Sequence, residues 1–303
     1  MIDLRVLIIG YGSIGQRHYK ILSSLRKIKD IKIITSLNLS KTKKINLKKS
    51  EILTFNPDYI LICSETSKHF KQLKFINNLL KDKLILVEKP LFNTYQKIGK
   101  VNNKIFVGYN FRFHPLIKFL KDYVLNDKND AIISINVYAG SYLPLWRKNR
   151  IYSSTYSSNK NKGGGVEYDL SHELDYIKWI FGKFKIYFKF NKKISNLNIN
   201  SNDHLTLVGY FKKNKIINLH LNYYSKIAYR KLIADFNKKT VHLDLINNSL
   251  IIKHLGSKKN INRKIINFDR DITFKKQHLS IINYKYKDLC SYKDALEDIN
   301  LIT

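Results

Sequence analysis

Two short stretches of the chain carry residue types that can move a proton. In the first, residues 84–91 (LILVEKPL), an apolar run of strand character is stopped by Pro90, which has no N–H to continue a ladder. Glu88 and Lys89 stand just before that stop. Ligands of an open parallel sheet bind beyond the carboxyl ends of its strands, so a lysine there faces a pocket, and Lys89 is the catalytic candidate. In the second, after Gly163, Gly164 and Gly165, the residues Asp169, His172 and Asp175 recur at three-residue steps. That spacing predicts one face of a helix over residues 168–181. A histidine with carboxylates on both sides suits a proton relay. No metal site is expected, because no further ligands are evident in the sequence.

The elements that must position these groups are legible in the first half of the chain. Residues 4–9 read as an apolar strand leading into Gly10, Gly12 and Gly15 (GYGSIG), after which QRHYKILSSL takes up helical periodicity. This is a dinucleotide fingerprint in its required context. Gly10 permits the tight turn, Gly12 lets the backbone approach a pyrophosphate, and Gly15 lets the helix pack against the strand. The helix start at Ser13 and Ile14 offers N–H groups and a positive dipole end. A second strand, 31–35, ends at Ser36, Leu37 and Asn38, where an NAD-specific site usually carries an acid. Ser36 and Asn38 can bond a 2′-phosphate, with Lys41, Lys43 and Lys44 in reach of its charge, so the reading leans to NADP over NAD. A third strand, 58–63, precedes a helix opened by the capping types of residues 64–67, which brings Thr66 and His69 to the same crevice as cofactor contacts. Strand 84–87, a helical segment including 95–101 and strand 104–108 complete a doubly wound parallel sheet, an α/β Rossmann domain over residues 1–113. At its end, YNFRFHP gathers Tyr109, Asn110, Arg112 and His114 as substrate candidates.

The second half changes character. After a helix at 115–125 come β-rich segments at 131–142, 184–190, 205–211, 216–224, 231–236, 241–245 and 249–252, read as a mostly antiparallel meander. With the helix at 168–181 they make an α+β domain over residues 114–303. The polar loop 153–162 reads as a mobile flap. Two tail helices follow, near 274–284 and after the cap Ser291.

A chain of 303 residues holds two domains of ordinary size. The net charge of +32 would suit an acidic partner, but only nine of the 55 basic residues are arginine and the lysines run from end to end. Nucleic-acid surfaces favour arginine concentrated on one face, so no nucleic-acid partner is expected. Such a field draws anionic small molecules. Cys63 and Cys290 form no disulfide framework, which fits a reducing cytoplasm. No apolar run approaches a membrane span, and the first residues enter a strand at once, so neither membrane nor signal peptide is expected.

Taken in order, GYGSIGQRH, EKP, GYNFRFHP and GGGVEYDLSHELD resemble the glucose-fructose oxidoreductase, inositol dehydrogenase and MocA family (Gfo/Idh/MocA) over roughly residues 1–182, with a looser match at DALEDINLI. The resemblance implies a Rossmann domain for NAD or NADP and a second domain whose open sheet serves substrate and homo-oligomer contacts. It places Lys89, Asp169 and His172 around the reacting carbon, with Glu88 bracing the site and the Lys89–Pro90 bond in the cis form. The family often spaces the acid and histidine one residue further apart than Asp169 and His172, whereas His172 and Asp175 keep its register. The implied activity passes a hydride between nicotinamide and a secondary alcohol or ketone of a sugar, nucleotide sugar or polyol. His172 or Lys89 would handle the proton, Asp169 or Asp175 would orient the imidazole, and Arg112 with Tyr109 would hold substrate. The alternative within the same fold is a catalytically silent NAD(P)-binding regulator.

Overall fold

The computed structural model describes residues 3–303 except 41, 128, 148, 212, 213 and 257–259. In chain order the first elements are β1 (Leu4–Ile9), α1 (Ser13–Ser23), β2 (Ile28–Ile34), α2 (Lys49–Phe55), β3 (Tyr59–Ile62), α3 (Thr66–Leu79), β4 (Leu84–Val87) and β5 (Lys104–Val107). After them come α4 (Pro115–Asn126), β6 (Ile132–Gly140), α5 (Val166–Asp169) and α6 (His172–Phe181). A run of strands follows: β7 (Lys185–Lys192), β8 (His204–Phe211), β9 (Lys215–Asn222), β10 (Tyr229–Phe236), β11 (Lys239–Asp244), β12 (Ser249–His254) and β13 (Ile261–Lys264). The tail holds α7 (Asp271–Ile282), β14 (Cys290–Ser291) and α8 (Tyr292–Ile302). Among the described residues no helix is long and apolar enough to cross a membrane.

The chain divides into two compact units, Met1–Phe113 with Arg270–Thr303, and His114–Asp269. The last stretch, expected in the second domain, therefore belongs to the first unit. The physical reason is a sheet edge that needs a partner: β14 pairs antiparallel with β5 (Cys290 with Val107, Ser291 with Phe106), and Ile281, Ile282 and Leu289 enter the core around Leu4, Val6, Ile8 and Phe106. A two-residue strand leaves no periodicity to read.

In the first unit the strand order is β14-β5-β4-β3-β1-β2, with β1 to β5 parallel. The chain passes from β1 to β2 on one side and to β3 on the other, so the order reverses at the carboxyl end of β1, where such sheets bind ligands. β3 and β4 are fully buried runs, YILI and LILV, as parallel strands covered on both faces must be. The helix expected over residues 95–101 does not form. Two of its backbone groups are taken by side chains instead: Asn77 Nδ2 donates to Lys100 O, and Ile98 N donates to the Tyr292 hydroxyl.

The second unit is built on an eight-stranded sheet in the order β13-β12-β11-β10-β6-β9-β8-β7. It is not a plain meander, because β6 inserts between β10 and β9 and runs parallel to β9. β13 (INRK) escaped the sequence reading because it lacks apolar alternation. Along β6, β8 and β9 alternate residues such as Ile135, Val137, Leu207, Leu219 and Leu221 are buried, while Asn136, Tyr138, Thr206, Asn218 and His220 line the opposite face.

Two further expectations are corrected. The helix over 168–181 is broken at Leu170, whose φ of −102° and ψ of 25° lie outside helical values, so α5 and α6 are separate. The segment 153–162, expected as an irregular polar loop, forms a series of 3-10 turns held by serine hydrogen bonds. Ser158 Oγ donates to Ser153 O, Ser201 Oγ donates to Ser157 O, and Asn200 N donates to Ser158 O.

Candidate functional site

The glycine turn between β1 and α1 is as tight as its composition demands. Gly10 has φ of +96°, and a Cβ there would stand 2.6 Å from Ser64 N. A Cβ on Gly15 would stand 2.2 Å from Gly10 O, so only glycine lets α1 begin so close to the strand. A Cβ on Gly12, by contrast, would meet nothing within 4 Å, which leaves room at the helix start. A helix leaves its first N–H groups, here those of Ser13 and Ile14, without intrahelical acceptors, and Gly12 adds no side-chain cap. Donors, dipole and open space together fit the diphosphate of a dinucleotide.

Beyond β2, Ser36 and Asn38 are exposed, and Lys44 Nζ donates to Leu37 O between them at 3.0 Å. Lys43 Nζ lies 5.6 Å from the centre of the Tyr19 ring. Lys41 lies outside the described residues. Two ammonium groups therefore border the loop that would meet an adenosine ribose.

Thr66 opens α3 and is buried; the helix has no side-chain cap, because Ser64 Oγ instead donates to Gln72 Oε1. His69 is buried and serves as a brace. Its Nδ1 lies 3.1 Å from Pro90 O and 3.2 Å from Leu91 O, and its Nε2 lies 3.1 Å from Ser64 O. Burial holds its pKa below the ordinary histidine value despite these carbonyls. The ring thus sits between the loop after β3 and the turn after β4, and in its neutral form donates its one N–H to one of them. Glu88 is likewise buried, with its carboxylate on His18, and Lys89, partly exposed and next to a cis Pro90, stands between the two histidine contacts.

The expected substrate residues after β5 have structural partners. Asn110 Nδ2 donates to Thr273 Oγ1 at 2.6 Å, and Arg112 donates to Leu289 O at 3.0 Å, so both fasten the tail to the first unit. Tyr109 is fully buried. His114 caps α4: its Nδ1 accepts from Leu116 N, and Nε2 lies 3.2 Å from Asn248 Oδ1. An accepting Nδ1 leaves the proton on Nε2, which then donates to Asn248.

In the second unit, Asp169 ends α5, His172 opens α6 and Asp175 follows one turn later; all three are buried. Asp169 accepts from the hydroxyls of Tyr156 and Tyr223, each at 2.6 Å. Burial, and after it the charge of Asp169, push both phenols well above their usual pKa, so they keep their protons and donate. These two tyrosines were missed in the sequence, where one sits in a polar loop and the other at a strand end. His18 was part of a motif, but nothing local showed its partner.

A switch-point Rossmann sheet with a tight glycine turn, in a chain whose other unit carries a large mixed sheet, defines an α/β protein of the dinucleotide-binding fold. Comparison sharpens this. Residues 4–104, about a third of the chain, match the family described as "Oxidoreductase family, NAD-binding Rossmann fold". The YteT protein of Bacillus subtilis (strain 168) is 21% identical over 141 residues, which are 42% of this chain and 30% of that protein, so the match spans under a third of that relative. Among solved structures, levoglucosan dehydrogenase in complex with NADH superposes with a TM-score of 0.83 at 13% identity, covering 99% of this chain and 96% of that one. The UDP-N-acetylglucosamine 3-dehydrogenase GnnA of Acidithiobacillus ferrooxidans gives 0.74 at 16% identity, covering 99% and 95%. The WlbA dehydrogenase of Bordetella pertussis, in complex with NADH and UDP-GlcNAcA, gives 0.79 at 11%, covering 99% and 94%. Likeness at these identities speaks for a shared fold.

Proposed function

We propose that the protein is an NAD(P)-dependent oxidoreductase that interconverts a secondary alcohol and a ketone on a sugar, nucleotide sugar or polyol. The observation that carries this reading is the glycine turn: a helix start with N–H groups that lack intrahelical acceptors and open space at Gly12, in a sheet whose strand β4 is followed directly by Glu88 and Lys89. A bound nicotinamide cofactor would supply the hydride donor or acceptor. Gly10, Gly12, Ser13, Ile14 and Gly15 would hold its diphosphate. The reading leans to NADP because no acid follows β2, while Lys44 holds its charge at Leu37 between Ser36 and Asn38.

The chain's own chemistry is proton handling. Lys89 or His172 takes the hydroxyl proton during oxidation and returns it during reduction. Asp175, three residues from His172 on the same helix, or Asp169 orients the imidazole. The names of the structural neighbours support a sugar-type substrate, and a net charge of +32 supports an anionic one such as a nucleotide sugar. Cys63 and Cys290, buried and outside any disulfide, suit a cytoplasmic setting. The outward face of the second unit's sheet, where a groove of about 750 Å³ is lined by Asn136, Tyr138, His220 and Tyr229, would receive a second copy of the chain.

The test is incubation with NADP⁺ or NAD⁺ and a panel of sugars, polyols and nucleotide sugars, followed by absorbance of reduced nicotinamide. Turnover with one member, faster with NADP⁺, is expected; an enzyme binding neither cofactor would overturn the reading.

A further inference from the structure

The first unit contains a line of buried side chains that the reaction above does not use. Glu88 Oε1 lies 2.8 Å from His18 Nε2, His18 Nδ1 lies 2.8 Å from His278 Nε2, and His278 Nδ1 lies 2.9 Å from the Tyr59 hydroxyl. His18, His278 and Tyr59 are wholly shielded from solvent, and Glu88 is 7% exposed. The four come from separate elements: the end of β4, α1, α7 and β3. Gly108 makes room for the carboxylate, since a Cβ there would stand 2.6 Å from Glu88 Oε1.

With Glu88 as a carboxylate acceptor, two proton arrangements complete this line. An ionised Glu88 only accepts, so His18 donates to it through Nε2. His18 Nδ1 then accepts from His278 Nε2–H, with Tyr59 donating to His278 Nδ1. Alternatively, a doubly protonated His18 donates to His278 Nε2, and His278 Nδ1–H donates to Tyr59. Every ring nitrogen is satisfied in both arrangements, and in both His278 is neutral. Burial, with the charge of His18 adding to it, holds the His278 pKa well below its ordinary value, in keeping with that state.

The line ends one residue before Lys89. Glu88 N still donates to Ile62 O, carrying the strand register one residue past β4, and the chain then bends at Lys89 and Pro90. Holding the Glu88 carboxylate and its N–H anchors the residue from which the bend carrying Lys89 starts. From the other side, His69 holds the carbonyls of Pro90 and Leu91. Lys89 thus sits between two anchored neighbours, one of them reaching back to the C-terminal tail.

We propose that Tyr59, His278, His18 and Glu88 form a positioning relay for Lys89, through which helix α7 of the tail sets the orientation of the lysine that handles the proton. The relay rests on the role given to Lys89 above. These are positioning residues, since they act on the reaction only through Lys89.

His278→Leu removes both ring contacts, whereas His278→Gln keeps one donor and one acceptor. The full-length variants are compared with the wild type for kcat and cofactor KM per folded molecule, and for amide exchange at residues 88–91 by mass spectrometry. H278L is expected to lower kcat about 10- to 100-fold, the scale set by small displacements of a reacting group, with cofactor KM within about threefold. Exchange at residues 88–91 rises about tenfold in H278L, and H278Q recovers both readouts to within about fivefold of the wild type. H278L with wild-type kcat and wild-type exchange, or H278Q as impaired as H278L, would overturn the relay. Wild-type protein that turns over no substrate would overturn the functional reading, while the exchange data still decide whether His278 orders the turn. Lys89→Met that keeps turnover would remove the lysine from the chemistry and the relay with it.

Discussion

Gly12 offers the sharpest separation of folding from binding. A Cβ at this position would meet nothing within 4 Å, and the backbone φ of −71° is open to alanine. Gly12→Ala weakens the helix cap by about 0.5–1 kcal/mol, and the stiffer unfolded chain offsets this by about 0.4–1 kcal/mol. The ligand-free melting temperature is therefore expected to move by no more than about 2 °C. The same methyl, however, occupies the space through which a diphosphate must approach the N–H groups of Ser13 and Ile14. Loss of one charge-assisted hydrogen bond, about 1.5–3 kcal/mol, weakens binding about 10- to 200-fold. Gly15→Ala is the control. Its Cβ would stand 2.2 Å from Gly10 O, so α1 must withdraw by roughly 1 Å to reach ordinary contact, and overpacking of about 1–3 kcal/mol lowers stability as well as affinity. Thermal unfolding with and without NADPH, joined to titration of reduced-nicotinamide fluorescence, reads both quantities. G12A binding NADPH as tightly as the wild type, or melting as early as G15A, would refute the reasoning.

Three further outcomes follow from the geometry. Tyr223→Phe deletes one of the two hydroxyls on the buried Asp169 carboxylate and should cost about 1.5–3 kcal/mol of stability in urea unfolding; an unchanged midpoint would show that the bond contributes nothing. His69 and His278 have pKa values lowered by burial, so below about pH 6.5 the unfolded chain binds more protons than the folded one. Stability should therefore fall on acidification through that range, by up to about 1.4 kcal/mol per pH unit for each histidine, and less steeply in H278Q. Equal slopes for wild type and H278Q would count against a neutral buried His278. Ile233→Glu, on the outward face of the second unit's sheet, should shift the mass measured by light scattering toward the monomer, whereas an unchanged mass would exclude that face as the contact between copies.

Much of the first unit was legible because its signals are local. A strand, three glycines and a helix occupy adjacent residues, and Pro90 marks where β4 must stop. The tail helix announced itself through Ser291, whose side chain and that of Asp294 form a reciprocal cap. What stayed hidden depends on partners distant in the chain. His18 and His278 are 260 residues apart, and neither shows in its own neighbourhood that it will be buried against the other. Asp169 looked like one member of a helical stripe, yet its tyrosine partners lie 13 and 54 residues away, and the helix breaks just after it. Asn110 and Arg112 carry the polar chemistry of a binding loop, and their bonds to Thr273 and Leu289 of the tail could not be seen in the local sequence. Polar side chains near a strand end satisfy backbone as readily as they contact a ligand, and only the fold distinguishes the two uses.

The central claim is that Lys89, at the end of β4, handles the proton while a dinucleotide occupies the glycine turn. Its most direct test compares wild type and Lys89→Met for NADPH affinity and for turnover of the substrate identified from the panel. The account expects kcat to fall about 10²- to 10⁴-fold with NADPH affinity kept within about threefold. Undiminished turnover in the variant, or loss of NADPH binding in parallel with it, would contradict the account.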